Sequence, residues 1–593
     1  MRPTSHRALW TGLAAVACLV AATVAISAEE KVDLTIVNRI KSEAFQNSQV
    51  MDHLFYLADV YGPRLTNSPG HREAAEWVMK RLKEYGLENV HLEKWGPFGE
   101  SWRYTHFQAH MIEPQYQPLI GFPLAWTPGT DGVITAEPVV AVITNDADFE
   151  KYKGKLAGKV VLSMTPKEIH PISEAPFRRL TNEELEARGN VIDPSRPFVG
   201  MFGPQAPAAP AASTLPATPP PSREEQEKFR TKLAQFYKSE GAVAVLQYGY
   251  NGDGGTVFAT SGGPRDPKEP KPLPTIALTP EHYNRIARLV EHKIPVKLEL
   301  EVRAEFLGGD TDSFNVIGEI PGTTKKDEIV MLGGHLDSWH GGTGATDNGT
   351  GSAVAIEAVR ILKALNIPLA RTVRIALWGG EEEGLLGSKF YVQDHFADRE
   401  TMTLKPEYSK LDAYFNDDTG TGRFRGISVG GNDMVKPLFE AWLQPFHDLG
   451  ATAVLGATAT PTRQPGGTDH TSFTWIGLPG FGFLQDPMEY GTRTHHSNMD
   501  VYDRVVKGDV MQASAIMAWF VYNTAARDEM LPRLAEPKPL KPAGNAAAKT
   551  EGQGGQVHPS GRERAVEAEG ERSLSQLQPM RAGSQVHPTH GFD

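Results

Sequence analysis

One cysteine in 593 residues is the first constraint. It excludes an internal disulfide framework and any thiolate zinc cluster, so a bound metal must be held by His, Asp and Glu. Positive charge is also scarce: 60 Lys and Arg stand against 72 Asp and Glu, a formal net charge of −12. Without a basic surface field, nucleic acid is disfavoured as a partner. Long apolar runs are confined to one place, residues 8–24. Arg2 and Arg7 precede that run and Ile26-Ser27-Ala28 follows it, the pattern of a secretory signal peptide over residues 1–28. The alternative is a membrane anchor, for which the run is slightly short and holds Gly12 and several alanines. Cys18 lies inside the run, in a weak match to a lipidation site, and cleavage near Ala28 would leave no cysteine. The expectation is an exported chain, periplasmic or extracellular, with no stable membrane span after cleavage.

What is present suffices for three or four structural units, and 40% hydrophobic residues suggests a folded body carrying polar segments. From Asn47 to Gly86 the apolar spacing predicts helix, turn, helix, broken at Tyr61-Gly62-Pro63-Arg64. Short β-like runs follow at Pro138 to Thr144 and Lys159 to Met164. The proline- and alanine-rich stretch 204–221 reads as an exposed loop. Ser222-Arg-Glu-Glu225 then has the pattern of a capping box opening a helix to about Lys238, and residues 241–246 read as a buried strand. From about Ser313, strands at 329–333 and 372–378 alternate with helices at 351–365 and 385–396. This alternation predicts an α/β fold with a largely parallel central sheet. Beyond about Pro537 the periodicity is lost, and the repeat of Gln556-Val-His-Pro559 at Gln585-Val-His-Pro588 reads as part of a disordered tail.

Five motifs in the α/β half put a carboxylate or His at the carboxyl end of an apparent strand. They are Gly334-His335-Leu336-Asp337, Ala345-Thr346-Asp347-Asn348-Gly349, Glu381-Glu382-Glu383-Gly384-Leu385, Asn416-Asp417-Asp418 and His495-His496-Ser497-Asn498-Met499-Asp500. Such strand ends are where open α/β sheets bind ligands. Singly, each has a bland explanation as surface charge; together they fit a dinuclear metal site. Two Zn²⁺ ions with Asp347, Glu382, Asp418 and the neutral imidazoles of His335 and His496 leave one positive charge, which a bridging hydroxide neutralises. Asp347, at a glycine-rich turn, is the natural bridge. Glu381 and Glu382 divide the remaining work into a general base and a ligand. Asp337 is placed to take the second N–H of His335 and fix its tautomer, and Asp500 is a weaker candidate for the same service near His496.

In these motifs the chain resembles the co-catalytic zinc exopeptidases of clan MH, the bacterial leucyl aminopeptidase type. Its closest likeness is to the carboxypeptidase Q, or plasma glutamate carboxypeptidase, subgroup. There the similarity extends to Val60-Tyr-Gly-Pro-Arg-Leu65, His335-Leu-Asp-Ser-Trp339, Gly467-Thr-Asp469 and His495-His-Ser497, and covers most of residues 45–535. The resemblance implies His335 and Asp418 on one zinc, Glu382 and His496 on the other, Asp347 bridging and Glu381 as base. Asp417 and Asp418 compete for one role, and Thr419-Gly420-Thr421 after them favours Asp418. Family members often carry Tyr before the last His ligand, to stabilise the tetrahedral intermediate; here that position is His495. The implied fold is a zinc exopeptidase α/β domain with an inserted, mainly-β protease-associated domain. Its expected parts are residues 29–124 and 306–536 for the peptidase, 125–305 for the insert and 537–593 for the tail.

The expected activity is hydrolysis of short peptides, as an aminopeptidase or dipeptidase. Carboxypeptidase action stays open, because Glu383 and Asp417 could meet a substrate ammonium while Arg463 and Arg493 could meet a carboxylate. A homodimeric state stays open too. The rivals are a glutaminyl cyclase or aminoacylase on the same scaffold, disfavoured for the cyclase by a complete ligand set, and a metal-free binding protein, which predicts gaps in that set.

Overall fold

The computed structural model describes residues 30–190, 222–249, 251–456 and 467–540. The expected signal peptide with Cys18, the proline-rich loop at 204–221, Arg463 and residues 541–593 of the expected tail lie outside the described residues. Three helices come first. They are α1 (Leu34–Gln46), with Asp33 accepting from the Thr35 and Ile36 amides, α2 (Val50–Phe55), and α3 (Pro69–Glu84), with Ser68 accepting from His71 and Pro69 in its first turn. β1 (Glu88–Trp95) follows.

The chain then leaves the main body. β2 (Ser101–Glu113), β3 (Gln117–Pro118), β5 (Ile134–Ala136) and β10 (Lys297–Leu307) form a sheet in the order β3-β2-β10-β5. A second sheet, β4-β9-β8-β7-β6, is built from β4 (Gly121–Pro123), β6 (Pro138–Val140), β7 (Val160–Leu162), β8 (Ala244–Tyr248) and β9 (Thr275–Leu278). β6, β7, β8 and β9 pair in parallel, so this part also needs crossover helices. The helices of this part are α4 (Asn182–Asn190), α5 (Arg223–Ser239), opened by a complete Ser222–Glu225 capping box, and α6 (Pro280–Glu291). α5 packs Phe229, Leu233 and Phe236 against Val161 and Val245, while α6 packs Tyr283 and Ile286 among Leu162, Leu246 and Leu278. β2 lies before residue 125 in sequence and pairs with β10, not with the large sheet.

The chain returns at β11 (Ser313–Ile320), antiparallel to β1, with Trp95 opposite Ser313. Next come β12 (Lys325–His335), α7 (Thr350–Ala364), β13 (Arg371–Trp378), α8 (Leu386–His395) and a small ribbon of β14 (Ala397–Asp398) and β15 (Thr403–Leu404). Then follow β16 (Leu411–Asn416), β17 (Phe424–Ser428), α9 (Lys436–Leu443), β18 (Ala453–Leu455), α10 (His470–Trp475), β19 (Gly480–Gln485) and α11 (Lys507–Ala526). The eight-stranded sheet runs β1-β11-β13-β12-β16-β19-β17-β18, with its central strands β13, β12, β16 and β19 parallel.

Period-2 alternation divides those strands between two cores, as it must where both faces are covered. Val330, Leu332, Val373, Ile375 and Leu377 face the side of α1, α7 and α11; Ile329, Met331, Ala376, Trp378 and Tyr414 face the side of α8 and α10. A side chain at Gly351 would overlap the Asp417 carbonyl, so glycine there lets the start of α7 pass directly beneath the end of β16. Among the described residues, no helix is long and apolar enough to cross a membrane.

Candidate metal centre

His335 is the last residue of β12, Asp347 sits in the turn that opens α7, Glu381 and Glu382 follow β13, and Asp418 follows β16. His496 comes from the loop between β19 and α11, with its backbone in the left-handed region at φ 62°. These loops converge. His335 Nε2 lies 3.3 Å from Asp418 Oδ1, 3.4 Å from Asp347 Oδ1 and 4.0 Å from Glu381 Oε2. On the other side, His496 Nε2 lies 2.9 Å from Glu382 Oε2 and 3.3 Å from Asp347 Oδ2. The two oxygens of one buried carboxylate thus face two different imidazoles.

The donor atoms suit cations. His335 Nε2, Asp347 Oδ2 and Glu382 Oε1 are buried without a hydrogen-bond partner, a costly state for lone-pair atoms unless a cation takes them. Electrostatics agree. Burial pushes the His335 imidazole down, but Asp418, Glu381, Asp337 and Asp347 around it hold it well above its usual range. Burial, then the charges of Asp418, Asp469 and Glu382, push Glu381 well up; burial, then Asp347, Asp337 and Glu383, push Glu382 up as well. Burial opposes ionisation of Asp347, yet the imidazoles of His335, His495 and His496 hold it below the ordinary carboxylate range. The site is built to hold positive charge, and His/Asp/Glu donors are those of zinc.

Surrounding residues fix this arrangement, in part differently from expectation. The second nitrogen of His335, Nδ1, meets the main-chain oxygen of Asp337 at 3.0 Å, whereas the Asp337 carboxylate is 3.7 Å away. That carbonyl accepts the N–H and leaves Nε2 as the lone-pair atom. The Asp337 carboxylate instead accepts from the amides of Glu381 and Glu382, each at 3.3 Å, and from the Thr66 hydroxyl at 2.8 Å. It is the cradle of the Glu triplet. Asp500 likewise holds the Asp347 turn rather than His496, accepting from the amides of Thr346 at 2.5 Å and Asp347 at 3.2 Å.

His495 stacks on His496 with ring centroids 3.6 Å apart, and its Nε2 lies 3.8 Å from Asp347 Oδ2. Burial and the neighbouring His496 push it down to about 4, so it is neutral at neutral pH. Asp417 is buried and, unlike Asp418, lies outside the two groups of side chains whose donor atoms come close enough to share a metal, His335 with Glu381 and Asp418, and Asp347 with His495 and His496. Glu383 is half-buried, with Oε2 2.7 Å from the Thr66 hydroxyl oxygen, and is pushed up to about 8 by burial and Asp337; protonated, it donates to that oxygen while Thr66 gives its one proton to Asp337. Arg493 is half-buried and donates to the Thr256 hydroxyl at 3.1 Å.

Three contributors escape a reading of the sequence. Arg64 is fully buried and donates to the carbonyls of Leu336, Leu57, Thr343 and Gly344, tying the end of β12 to the Asp347 turn. Thr66 links Asp337 to Glu383. Tyr490 donates its hydroxyl to Asp347 Oδ1 at 3.0 Å. Arg64 lies in the Val60–Leu65 motif and so is visible as a residue, although its partners are not. Tyr490 has no spacing signature at all.

Residues 315–521 match Peptidase family M28. Carboxypeptidase Q of Mus musculus is 28% identical over 506 residues, covering 85% of this chain and 91% of that relative. Leucine aminopeptidase 2 of Trichophyton rubrum is 30% identical over 264 residues, 43% of this chain and 48% of that relative. Among solved structures, a Peptidase M28 precursor from Shewanella amazonensis superposes with a TM-score of 0.58 at 24% identity, covering 85% of this chain and 99% of that one, a likeness of fold.

Proposed function

We propose, from the premise that residues 315–521 belong to peptidase family M28, that this metallo-exopeptidase is an exported, dinuclear zinc enzyme cleaving short peptides with a free amino terminus. The observation that carries the two-ion reading is Asp347, whose Oδ1 faces His335 and whose Oδ2 faces His496. His335 and Asp418 would hold one ion and Glu382 and His496 the other, with Asp347 between them. Zinc held by these residues would lower the pKa of a bound water and polarise the scissile carbonyl.

The chain's own residues do the rest. Glu381, with Oε2 4.0 Å from His335 Nε2, is left free of ligand duty by this assignment, and its carboxylate, with its raised proton affinity, suits it to take a proton from the water and return it to the leaving amine. Asp337 aims Glu381 by accepting from its amide. His495, neutral and beside Asp347, is placed to donate to the developing oxyanion in the position where relatives often use Tyr. A substrate ammonium beside half-buried Glu383 would draw down the proton affinity that burial and Asp337 raise, so that the ionised carboxylate would balance a free amino terminus.

A second reading, carboxypeptidase action, is favoured by Arg493 on the same loop as His495 and His496, and by relatives named carboxypeptidase Q. Metal analysis of dialysed protein should give two zinc ions per chain, and reproducibly one or none sinks the dinuclear reading. Acetylating the amino end of good dipeptide substrates should remove most of the activity. Efficient cleavage of the blocked peptides, with turnover lost in Arg493→Ala, would establish the carboxypeptidase instead.

A further inference from the structure

The loop that supplies His495 and His496 is not held by the peptidase sheet alone. Its first part is gripped by residues 176–180, which belong to the excursion between β1 and β11. Arg178 and Met488 exchange main-chain hydrogen bonds in both directions, at 3.1 and 2.9 Å. Thr492 donates its hydroxyl to the Pro176 carbonyl at 2.8 Å. Between these ties the half-buried Arg179 forms an ionic anchor. Arg179 Nη1 lies 2.9 Å from Asp486 Oδ2, just after β19, and 2.8 Å from Asp509 Oδ2, in the first turn of α11. Asp486 and Asp509 are almost wholly buried. The Leu180 amide donates to Asp486 Oδ1 at 2.9 Å, and Arg425 closes the knot by donating to both Asp486 Oδ1 and the Leu180 carbonyl.

The far part of the loop is tied to the same excursion. Asn498 Oδ1 accepts from the Val257 amide at 2.7 Å, and Phe258 bridges Ser497. Between the two sets of ties, His496 keeps a left-handed backbone at φ 62°. A non-glycine residue stays in that region only where its surroundings over-determine it.

We infer that residues 176–180 form a positioning strap for the His496 side of the metal centre, with Arg179 as its anchoring residue. Arg179 touches neither ligand nor substrate. It acts by joining the end of β19 to the start of α11, and so fixes both ends of the span from which His496 must reach Glu382 and Asp347. The inference rests on the reading of His496 as a metal ligand.

The test is chelator competition on the zinc-loaded full chain, resolving two affinities, beside unfolding of the metal-stripped protein. Arg179→Met should weaken one zinc by up to about tenfold, the lower end of the range for groups that contact a metal ligand directly, and leave the other unchanged. Arg179→Lys, which keeps the charge but loses the fork, should recover part of the loss. Thr492→Val removes the tie to Pro176 without stranding a buried carboxylate, and should weaken the same zinc less; it decides the matter if Arg179→Met does not fold. Lower stability of the stripped variants with both zinc affinities unchanged would reduce Arg179 to a structural ion pair and overturn the strap. A wild type that holds fewer than two zinc ions fails the dinuclear reading, and the strap with it, whereas two ions held equally by wild type and variants fail the strap alone.

Discussion

On the proposed assignment, Glu381→Gln should keep the metal content of the wild type and lose hydrolysis by about 10²–10⁴-fold, because a neutral amide cannot accept the water's proton. Glu382→Gln should behave differently. It removes the carboxylate that lies 2.9 Å from His496 Nε2, so one metal should bind more weakly and activity should return in part at high zinc. The main-chain geometry sharpens the contrast, since both amides are held by the same Asp337 carboxylate and neither substitution disturbs that cradle. Metal content and turnover measured on both variants decide the assignment. If Glu381→Gln lost the metal and Glu382→Gln kept it, the two roles would be exchanged.

Arg64→Met should produce the largest loss of stability among single substitutions near the site. Arg64 has no exposed surface, and its guanidinium donates to four main-chain carbonyls at 2.6 to 3.0 Å. Burial pushes it down to about 10, so it is still charged at neutral pH, and Asp500, Asp337, Asp347 and Glu382 favour that charge. Methionine fills similar volume but leaves those carbonyls without donors in the protein interior. At about 1–3 kcal/mol for each buried group left unsatisfied, with partial relaxation, a loss on the order of 4 kcal/mol is expected. Arg64→Lys should not rescue it, since one ammonium cannot span a planar fork's partners. Denaturant unfolding reads the loss directly, and a cost below about 1 kcal/mol would show that the carbonyls find other donors.

The sheet half of the molecule is legible in the sequence because its signals are local. The stretch 329–333 is a continuous apolar run and 373–378 is interrupted only by Arg374, and the motifs with chemical character sit where those runs end. The Ser222 capping box is legible for the same reason, being complete within four residues of sequence. The parallel pairing of β6 to β9 is not, because short three-residue strands such as β6 and β7 carry no periodicity. Nor is the actual role of Asp337. Its nearness to His335 suggests the imidazole, but its carboxylate serves amides 44 and 45 residues further on. Arg64 meets carbonyls more than 270 residues away, and a main-chain acceptor leaves no mark on the residue that bears it. Asp417 and Asp418 cannot be ordered from composition, since only the exit direction from β16 turns one toward His335 and the other into the interior.

Trp95 and Ser313 stand opposite one another, so the excursion between β1 and β11 begins and ends at a single point on the sheet edge. Topologically it is detachable: a short turn across that gap would leave the eight-stranded sheet and its helices intact. The ties at 176–180 and 257–258 nonetheless join it to the loop that carries His496. A chain shortened in this way would inherit every ligand and lose the frame that presents one of them. On the strap reading, the smallest working unit of this enzyme is larger than its sheet, and substitutions in the excursion should change the metal affinity of a loop that lies hundreds of residues away in sequence.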